Sequence, residues 1–345
     1  MEQNFTQQPA ANEPIASSDN AAATSNNVPT DLDNNLLAWV KQYLKPYEVL
    51  TNALHNVRIS SEFNMAPNIP GWPKQHVFCS TDAILTIYNM LSERGAFGAE
   101  HSAELEKLVK SGASEEVILE KMLYTPSLIC SLLPWEKERC IFHVKKQELP
   151  AELLDTKTSL AARLPQWGMC FNLENEDMTW DNRRMIGIIF SRYFISKPPQ
   201  NQLSPEALQE MVKPSVEGEE PSIINNLVST VVFEDGSFDL GPFVPLDDNI
   251  TFNQFLNQLE TDITKNLDPN TTSPEEIAKT KQMAQDTTAR SRVLFKYLVY
   301  ALQHMDQVKD KHGEAATIPP HPQIIVTKDN PKIISAEIVR QFYID

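Results

Sequence analysis

Four runs of β-branched and aromatic residues lie in the middle of the chain and constrain its fold more than any other feature. The runs are Cys140–Val144, Gly168–Leu173, Met185–Ile195 and Asn226–Phe233. Ile, Val, Phe and Tyr favour strands because their side chains fit a pleated, half-buried surface. We therefore predict a central antiparallel sheet of four or five strands.

Two turns connect strands within this block. Glu234-Asp235-Gly236-Ser237 follows the fourth run, and its Asp-Gly pair supplies the positive φ that a tight hairpin requires. It returns the chain into Phe238–Val244, the fifth predicted strand. The segment Trp180-Asp181-Asn182-Arg183-Arg184 is interpreted as a second hairpin turn. Its two arginines have an alternative role, in which they bind an acidic peptide.

Helical periodicity precedes the strands. Apolar residues recur at helical spacing from Asp31 onward, and Pro46 divides this first helix from a second one. A further helix is predicted over Ser80–Arg94, where Gly95 ends it. Two or three more helices are predicted across His101–Leu133.

Helices also follow the strands. Thr251 is the predicted cap of an amphipathic helix that extends to about Leu267. Ser273 opens a second helix with a cap, a proline and a glutamate at the favoured positions, and this helix is predicted to end near Lys311. The order of helices, sheet and helices predicts an α+β fold with a helical N-terminal region and C-terminal helices.

Composition divides the chain into segments. Residues 1–30 contain almost no large apolar side chains and are predicted to form a disordered tail. Residues 31–138 are the helical region, and residues 139–312 are the α+β domain with its sheet and packing helices. The two together, 31–312, are either one compact domain or two. Residues 313–345 form a Pro-rich C-terminal segment.

The net charge of the chain argues against nucleic acid as a direct partner. The formal charge is −16 and the pI is about 4.9. Such a surface repels phosphate backbones, which are bound by neutralising Lys and Arg. The N-terminus lacks the pattern of a secretory signal, and no stretch is apolar enough to span a membrane. We therefore expect a cytoplasmic protein without a membrane partner, in which the four cysteines are reduced core thiols.

The sequence contains no motif of a known catalytic, metal or cofactor site. With only ten glycines it has no phosphate-binding loop, and it lacks the common hydrolase and metalloenzyme signatures. Weak pairings remain: Arg94 with His101 at a spacing seen in some ribonucleases, and His76 with Cys79 as base and nucleophile. A third, His304 with His312 and His321, is too widely spaced for a shared metal. We predict no cofactor, no metal and no catalytic residue.

Several residues are candidates for contact with a partner. Trp72 lies in a Pro-rich loop, where a rigid, exposed indole is suited to a contact hot spot. Arg183 and Arg184 are the candidates for binding an acidic peptide. Trp167 is instead predicted to be a core anchor. The edges of the predicted sheet are further candidates, because an exposed edge can pair with an extended peptide.

The stretch from Leu149 to Gln303 resembles a family found mainly on phages, plasmids and other mobile elements. Its best-known member is an anti-CRISPR protein directed against the type V-A effector nuclease. The resemblance rests on the order of several motifs. They are Leu164-Pro165-Gln166-Trp167 leading into a strand, the aromatic strand Gly187–Phe194, the apolar strand Leu227–Phe233, Pro245-Leu246 before the helix Phe252–Leu267, and the Leu/Tyr-rich helix around Val293–Tyr300.

The resemblance implies a non-enzymatic interaction protein that lowers production of the targeted nuclease by recognising its nascent chain. Two departures bear on this. Gly168 stands where such family members often have Cys, and the sequence ends at Asp345 without their basic segment rich in Arg, His and Trp. Two alternatives stay open: a hydrolase or nuclease with a site assembled from scattered residues, and a host cytosolic adaptor.

Overall fold

The computed structural model describes residues 31–51, 81–97, 107, 110–112, 115–145, 148–164, 168–195, 224–265, 273–318, 324–327, 330–333 and 336–345. The helices before the sheet are α1 (Asp31–Leu44), α2 (Thr81–Glu93) and α3 (Glu115–Glu138), with a 3-10 turn at Lys45–Tyr47 directly after α1. The predicted starts of α1 and α2 are confirmed to within a residue. Helix α3 is longer than expected. It ends at Glu138, so only Arg139 separates it from the first strand, which begins at Cys140.

The main sheet has seven strands. They are β1 (Cys140–Val144), β2 (Gly168–Asn172), β3 (Met178–Trp180), β4 (Arg183–Ile195), β5 (Ile224–Phe233), β6 (Phe238–Pro245) and β9 (Arg340–Ile344). Their order is β6-β5-β4-β2-β1-β9, with β3 paired to β4. Strands β7 (Ile324–Thr327) and β8 (Asn330–Ile333) form a separate hairpin.

The prediction of an antiparallel sheet of four or five strands is wrong at one end of the sheet. Strands β2, β4, β5 and β6 are antiparallel as expected, but β1 pairs in parallel with both β2 and β9. Residue His143 of β1 lies opposite Tyr343 of β9, almost the whole domain later in the sequence. Local patterns identify a strand but not its distant neighbour, so the parallel pairing was not foreseen.

Two helices follow the sheet, α4 (Phe252–Lys265) and α5 (Pro274–Gln303). Ser273 and Glu276 form the predicted capping box at the start of α5. The helix ends at Gln303, not near Lys311. His304 leaves the helical region with φ −120°, and a 3-10 turn follows at Met305–Gln307.

The sheet separates two hydrophobic cores. Helices α1, α2 and α3 cover one face, where Leu32, Leu36, Trp135, Ile141 and Ile189 are fully buried or nearly so. Helices α4 and α5 cover the other face, as do 3-10 turns at Ala151–Asp155 and Thr158–Arg163. On that face the buried side chains include Phe142, Phe171, Phe190, Phe252 and Phe295. Alternation along each strand sends neighbouring residues to opposite cores.

Three of the four predicted core thiols are confirmed. Cys130, Cys140 and Cys170 are free and buried, and burial raises the pKa of the Cys170 thiol. Cys79, Trp72 and Trp167 lie outside the described residues, as does the predicted tail. Within the described ranges, no helix is long and apolar enough to cross a membrane.

Candidate functional site

Two hairpin turns lie side by side at one end of the sheet. The β3–β4 turn is made by Asp181 and Asn182, which adopt φ of 51° and 61°. Asn and Asp tolerate this left-handed region better than most side chains. The β5–β6 turn has Gly236 at φ 79°, where an added Cβ would lie 2.7 Å from the indole of Trp39 on α1. Helix α1 therefore packs directly on the turn that the Asp-Gly pair predicts.

Arg183 is held between these two turns. Its Nη1 donates to Ser237 Oγ at 3.1 Å, and its Nη2 donates to Asp239 Oδ2 at 3.1 Å. The guanidinium carbon lies 3.6 Å from the ring centroid of Phe233. The side chain is still 38% exposed. The sequence places Arg183 at the surface, but its partners come from the other hairpin and were not foreseen.

Arg184 is paired on the neighbouring side. Its Nη1 donates to Glu234 Oε1 at 2.9 Å, and its Nη2 donates to the carbonyl oxygen of Glu174 at 3.3 Å. Both arginines, together with Phe233, Glu234 and Asp235, line an open surface pocket of about 290 Å³. The structure thus brings two sequence-predicted contact residues into one pocket.

The carboxylates around this pocket are committed to local contacts. Asp235 accepts hydrogen bonds from the hydroxyl and amide of Ser237, which lower its pKa. Asp239 accepts from the hydroxyl of Tyr124 on α3 at 2.7 Å. Burial and this hydrogen bond to Asp239 raise the pKa of Tyr124. These contacts join the two hairpins to each other and to α3.

A second polar cluster lies at the carboxyl ends of the parallel strands, where open α/β sheets often bind ligands. His143 of β1 stacks on Tyr343 of β9 with ring centroids 4.6 Å apart. Its Nε2 lies 3.3 Å from Asp33 Oδ1, without the alignment of a hydrogen bond. Asn172 of β2 donates to the same carboxylate at 3.3 Å, and Glu174 accepts from the amide of Leu32 at 3.0 Å. The cluster fastens the first turn of α1 to the sheet.

A third cluster consists of charges buried between α3, β1 and β9. Lys137 Nζ lies 2.6 Å from Glu136 Oε2, and the two side chains are only 6% and 9% exposed. Arg139 donates to Glu136 Oε1 at 2.7 Å, and Arg340 donates to the carbonyl oxygen of Glu138 at 2.9 Å. These contacts dock the last strand onto the end of α3. In the described part of the chain, no three His, Cys, Asp or Glu side chains are arranged to hold a metal ion.

Both edges of the main sheet are obstructed, which bears on the expectation that they pair with a peptide. Edge strand β6 contains Pro242 and Pro245, which have no N–H to donate, and a bulge interrupts its pairing with β5. Its Leu240 amide donates to the side chain of Asp239. On β9, Tyr343 already exchanges backbone hydrogen bonds of 2.9 and 2.8 Å with Lys309.

Most of the weaker sequence pairings involve residues that the structure does not describe. Arg94 is exposed in the turn after α2, and Gly95 there has φ 66°, so the helix ends as expected. His101, His76, Cys79 and His321 lie outside the described residues. The Nδ1 of His304 lies 2.8 Å from the carbonyl oxygen of Tyr300, one turn back along α5.

No protein-family profile matches the chain, and no curated protein is similar to it in sequence. Among solved structures, the crystal structure of AcrVA2 is similar to it. The two chains are 14% identical, and the similarity covers 89% of this chain and 83% of that one, with a TM-score of 0.48. The likeness is a distant one.

Proposed function

We propose that this chain is a non-enzymatic protein-interaction protein of a mobile genetic element, and that it inhibits host defence in the manner of the anti-CRISPR family it resembles. Its target is a polypeptide, the nascent chain of a type V-A effector nuclease, which it recognises in the cytoplasm. The ordered run of motifs from Leu149 to Gln303 supports this proposal.

The observation that carries an interaction role is the state of Arg183. It is 38% exposed, yet two hydrogen bonds and a stacked Phe233 ring hold its guanidinium in one position. An exposed side chain that is already ordered loses little entropy when a partner binds. Arginine and aromatic residues are also enriched among the residues that dominate protein interfaces.

The same pocket does not favour the hydrolase alternative. General acid–base catalysis needs a group whose pKa lies near the working pH. Asp235 has a lowered pKa, and Glu234 and Asp239 are each paired with an arginine. Their arrangement suits the holding of a fixed surface rather than the transfer of a proton.

Co-expression tests the proposal directly. The full chain is produced together with a type V-A effector nuclease, and the amounts of nuclease protein and nuclease transcript are measured. We expect the nuclease protein to fall several-fold, while an unrelated nuclease from the same promoter is unchanged. Equal accumulation of the type V-A nuclease with and without the chain would contradict the proposal and favour the host adaptor alternative.

A further inference from the structure

The pocket between the two hairpin turns contains a cation that lies over an aromatic ring. Phe233 is 1% exposed and forms the floor, and the Arg183 guanidinium lies over its ring at 3.6 Å. Guanidinium groups stack on aromatic faces through the charge and the flat π-system. Arg183 lines the pocket and is 38% exposed, so part of its side chain is accessible to a ligand.

The plane of this guanidinium is fixed before any ligand arrives. Ser237 and Asp239 accept from its two terminal nitrogens. Asp239 is in turn held by Tyr124 at 2.7 Å and by the amide of Leu240 at 2.8 Å. A stacking surface that is braced through two layers of contacts needs no rearrangement to accept a planar group.

The charges around the pocket disfavour an ionic ligand. Arg183 and Arg184 are already neutralised by Asp239 and Glu234, at 3.1 and 2.9 Å. An acidic side chain would meet positive charge that these carboxylates already balance, and it would also lie near Asp235, which lines the same pocket. Nucleic acid would be repelled by a chain of net charge −16. A neutral planar group pays neither cost.

The size of the pocket suits a group as small as one side chain. Its volume of about 290 Å³ lies at the lower end of the range for small-molecule sites. We infer that this pocket binds an aromatic side chain of a partner polypeptide, which stacks on the face of Arg183 opposite Phe233. The inference rests on the proposed role in polypeptide recognition and names the chemistry that the site selects.

The first test uses single-residue probes and the full chain. N-acetyl-tryptophanamide, N-acetyl-leucinamide and N-acetyl-glutamate amide are titrated, and binding is followed by ligand-observed and amide NMR. We expect saturable binding of the indole probe only, with the amide shifts centred on the two hairpin turns. Equal binding of the leucine probe would overturn the inference, and Arg183-dependent binding of the glutamate probe would assign a carboxylate site instead.

Matched lysine variants separate stacking from charge. Arg183→Lys keeps the positive charge but removes the planar guanidinium, so we expect affinity for the indole probe to fall about tenfold. Arg184→Lys alters the same pocket without removing the stack and should bind within about twofold of the parent. Thermal unfolding of both variants verifies the fold. If Arg183→Lys does not fold, Ser237→Ala is used instead, because it removes one hydrogen bond to Arg183. It should weaken binding of the indole probe several-fold, and unchanged binding would contradict the inference.

The two proposals fail in different ways. If the parent chain lowers nuclease accumulation and Arg183→Lys lowers it equally, the pocket is not the recognition site although the function stands. If the indole probe binds at Arg183 but nuclease accumulation is unchanged, the pocket stands and the anti-CRISPR-like function does not.

Discussion

Gly168 on β2 lies against the backbone of Trp135 on α3. A Cβ placed on Gly168 would be 3.0 Å from the Trp135 nitrogen and 3.1 Å from its Cα. Trp135 is fully buried, and its indole Nε1 donates to the carbonyl oxygen of Cys140 at 2.9 Å. The absence of a side chain at Gly168 is therefore what lets α3 pack so closely on the sheet. Proteins of the family that the chain resembles often have Cys at this position.

A larger residue at position 168 should destabilise the protein. We expect Gly168→Ala and Gly168→Cys to lower the free energy of unfolding by about 1–3 kcal/mol, because the backbone of α3 must move away from β2. Urea unfolding of both variants measures the effect, and Cys should cost at least as much as Ala. A Gly168→Cys variant as stable as the parent would show that α3 shifts without loss of packing.

Replacing one residue of the buried pair Glu136–Lys137 should lower the free energy of unfolding. Glu136→Gln removes the carboxylate that balances Lys137 and leaves a buried charge uncompensated, so it should cost about 3–5 kcal/mol of unfolding free energy. Lys137→Met should cost less, because Glu136 keeps its contact with Arg139 at 2.7 Å. The double variant should cost less than the two single variants combined. Urea unfolding of all four proteins gives the coupling. Strict additivity would mean that the pair is not coupled and that Arg139 balances Glu136 alone.

Stability should fall at alkaline pH because of buried tyrosines. Burial raises the pKa of Tyr43 and Tyr88 on the α1–α2 side, and neighbouring tyrosines raise it further. A raised folded-state pKa gives stability that is fully present below the unfolded value of about 10 and is lost as pH rises above it. Unfolding free energies from pH 8 to 11 should decline above about pH 10.

Tyr43→Phe provides the matched comparison for this pH dependence. It keeps the ring that meets Phe238 edge-on at 5.7 Å but removes the ionisable hydroxyl. Its unfolding free energy should fall less steeply above about pH 10 than that of the parent. Identical slopes for the two proteins would assign the alkaline loss to other groups.

Local sequence patterns predicted the helices, strands and turns better than they predicted which strands pair. Asp235-Gly236 correctly marked the β5–β6 hairpin, and Ser273 with Glu276 marked the start of α5, because both signals depend on adjacent residues. The parallel pairing of β1 with β9 depends on residues far apart in the chain, and no local pattern carries it. The same limit explains why the predicted sheet was entirely antiparallel.

At the candidate site, too, local features could be predicted and contacts between distant residues could not. Arg183 and Arg184 were predicted as candidate contact residues from their place beside a turn, and in the structure both line one pocket. Their partners Asp239 and Glu234 belong to another hairpin, so the sequence could not show that both charges are already neutralised. Glu136 and Lys137 were missed because a run of charged residues at a helix end is usually exposed, whereas these two are buried.

The charges of the described residues also bear on whether the protein binds RNA. An alternative hypothesis is that Arg183, Arg184 and Lys145-Lys146 form a local basic patch that binds RNA. In the structure, Arg183 and Arg184 pair with Asp239 and Glu234, and Lys145 lies 3.3 Å from Asp345 Oδ1. Lys146 lies outside the described residues. The described members of this patch therefore add little positive potential to a chain of net charge −16.

We accordingly predict that the purified full chain neither cleaves RNA nor binds it measurably at physiological salt. Binding through phosphates requires the release of counterions by unpaired Lys and Arg, and its affinity falls steeply as salt rises. Filter binding across a salt series measures this, with single-stranded and structured RNA as probes and a known RNA-binding domain as the positive control. Micromolar binding that weakens steeply with salt would refute the prediction. If such binding also vanished in an Arg183→Lys, Arg184→Lys double variant, the hairpin pocket would be an RNA contact and not a polypeptide contact. We expect the protein to retain no RNA on the filter at either low or physiological salt.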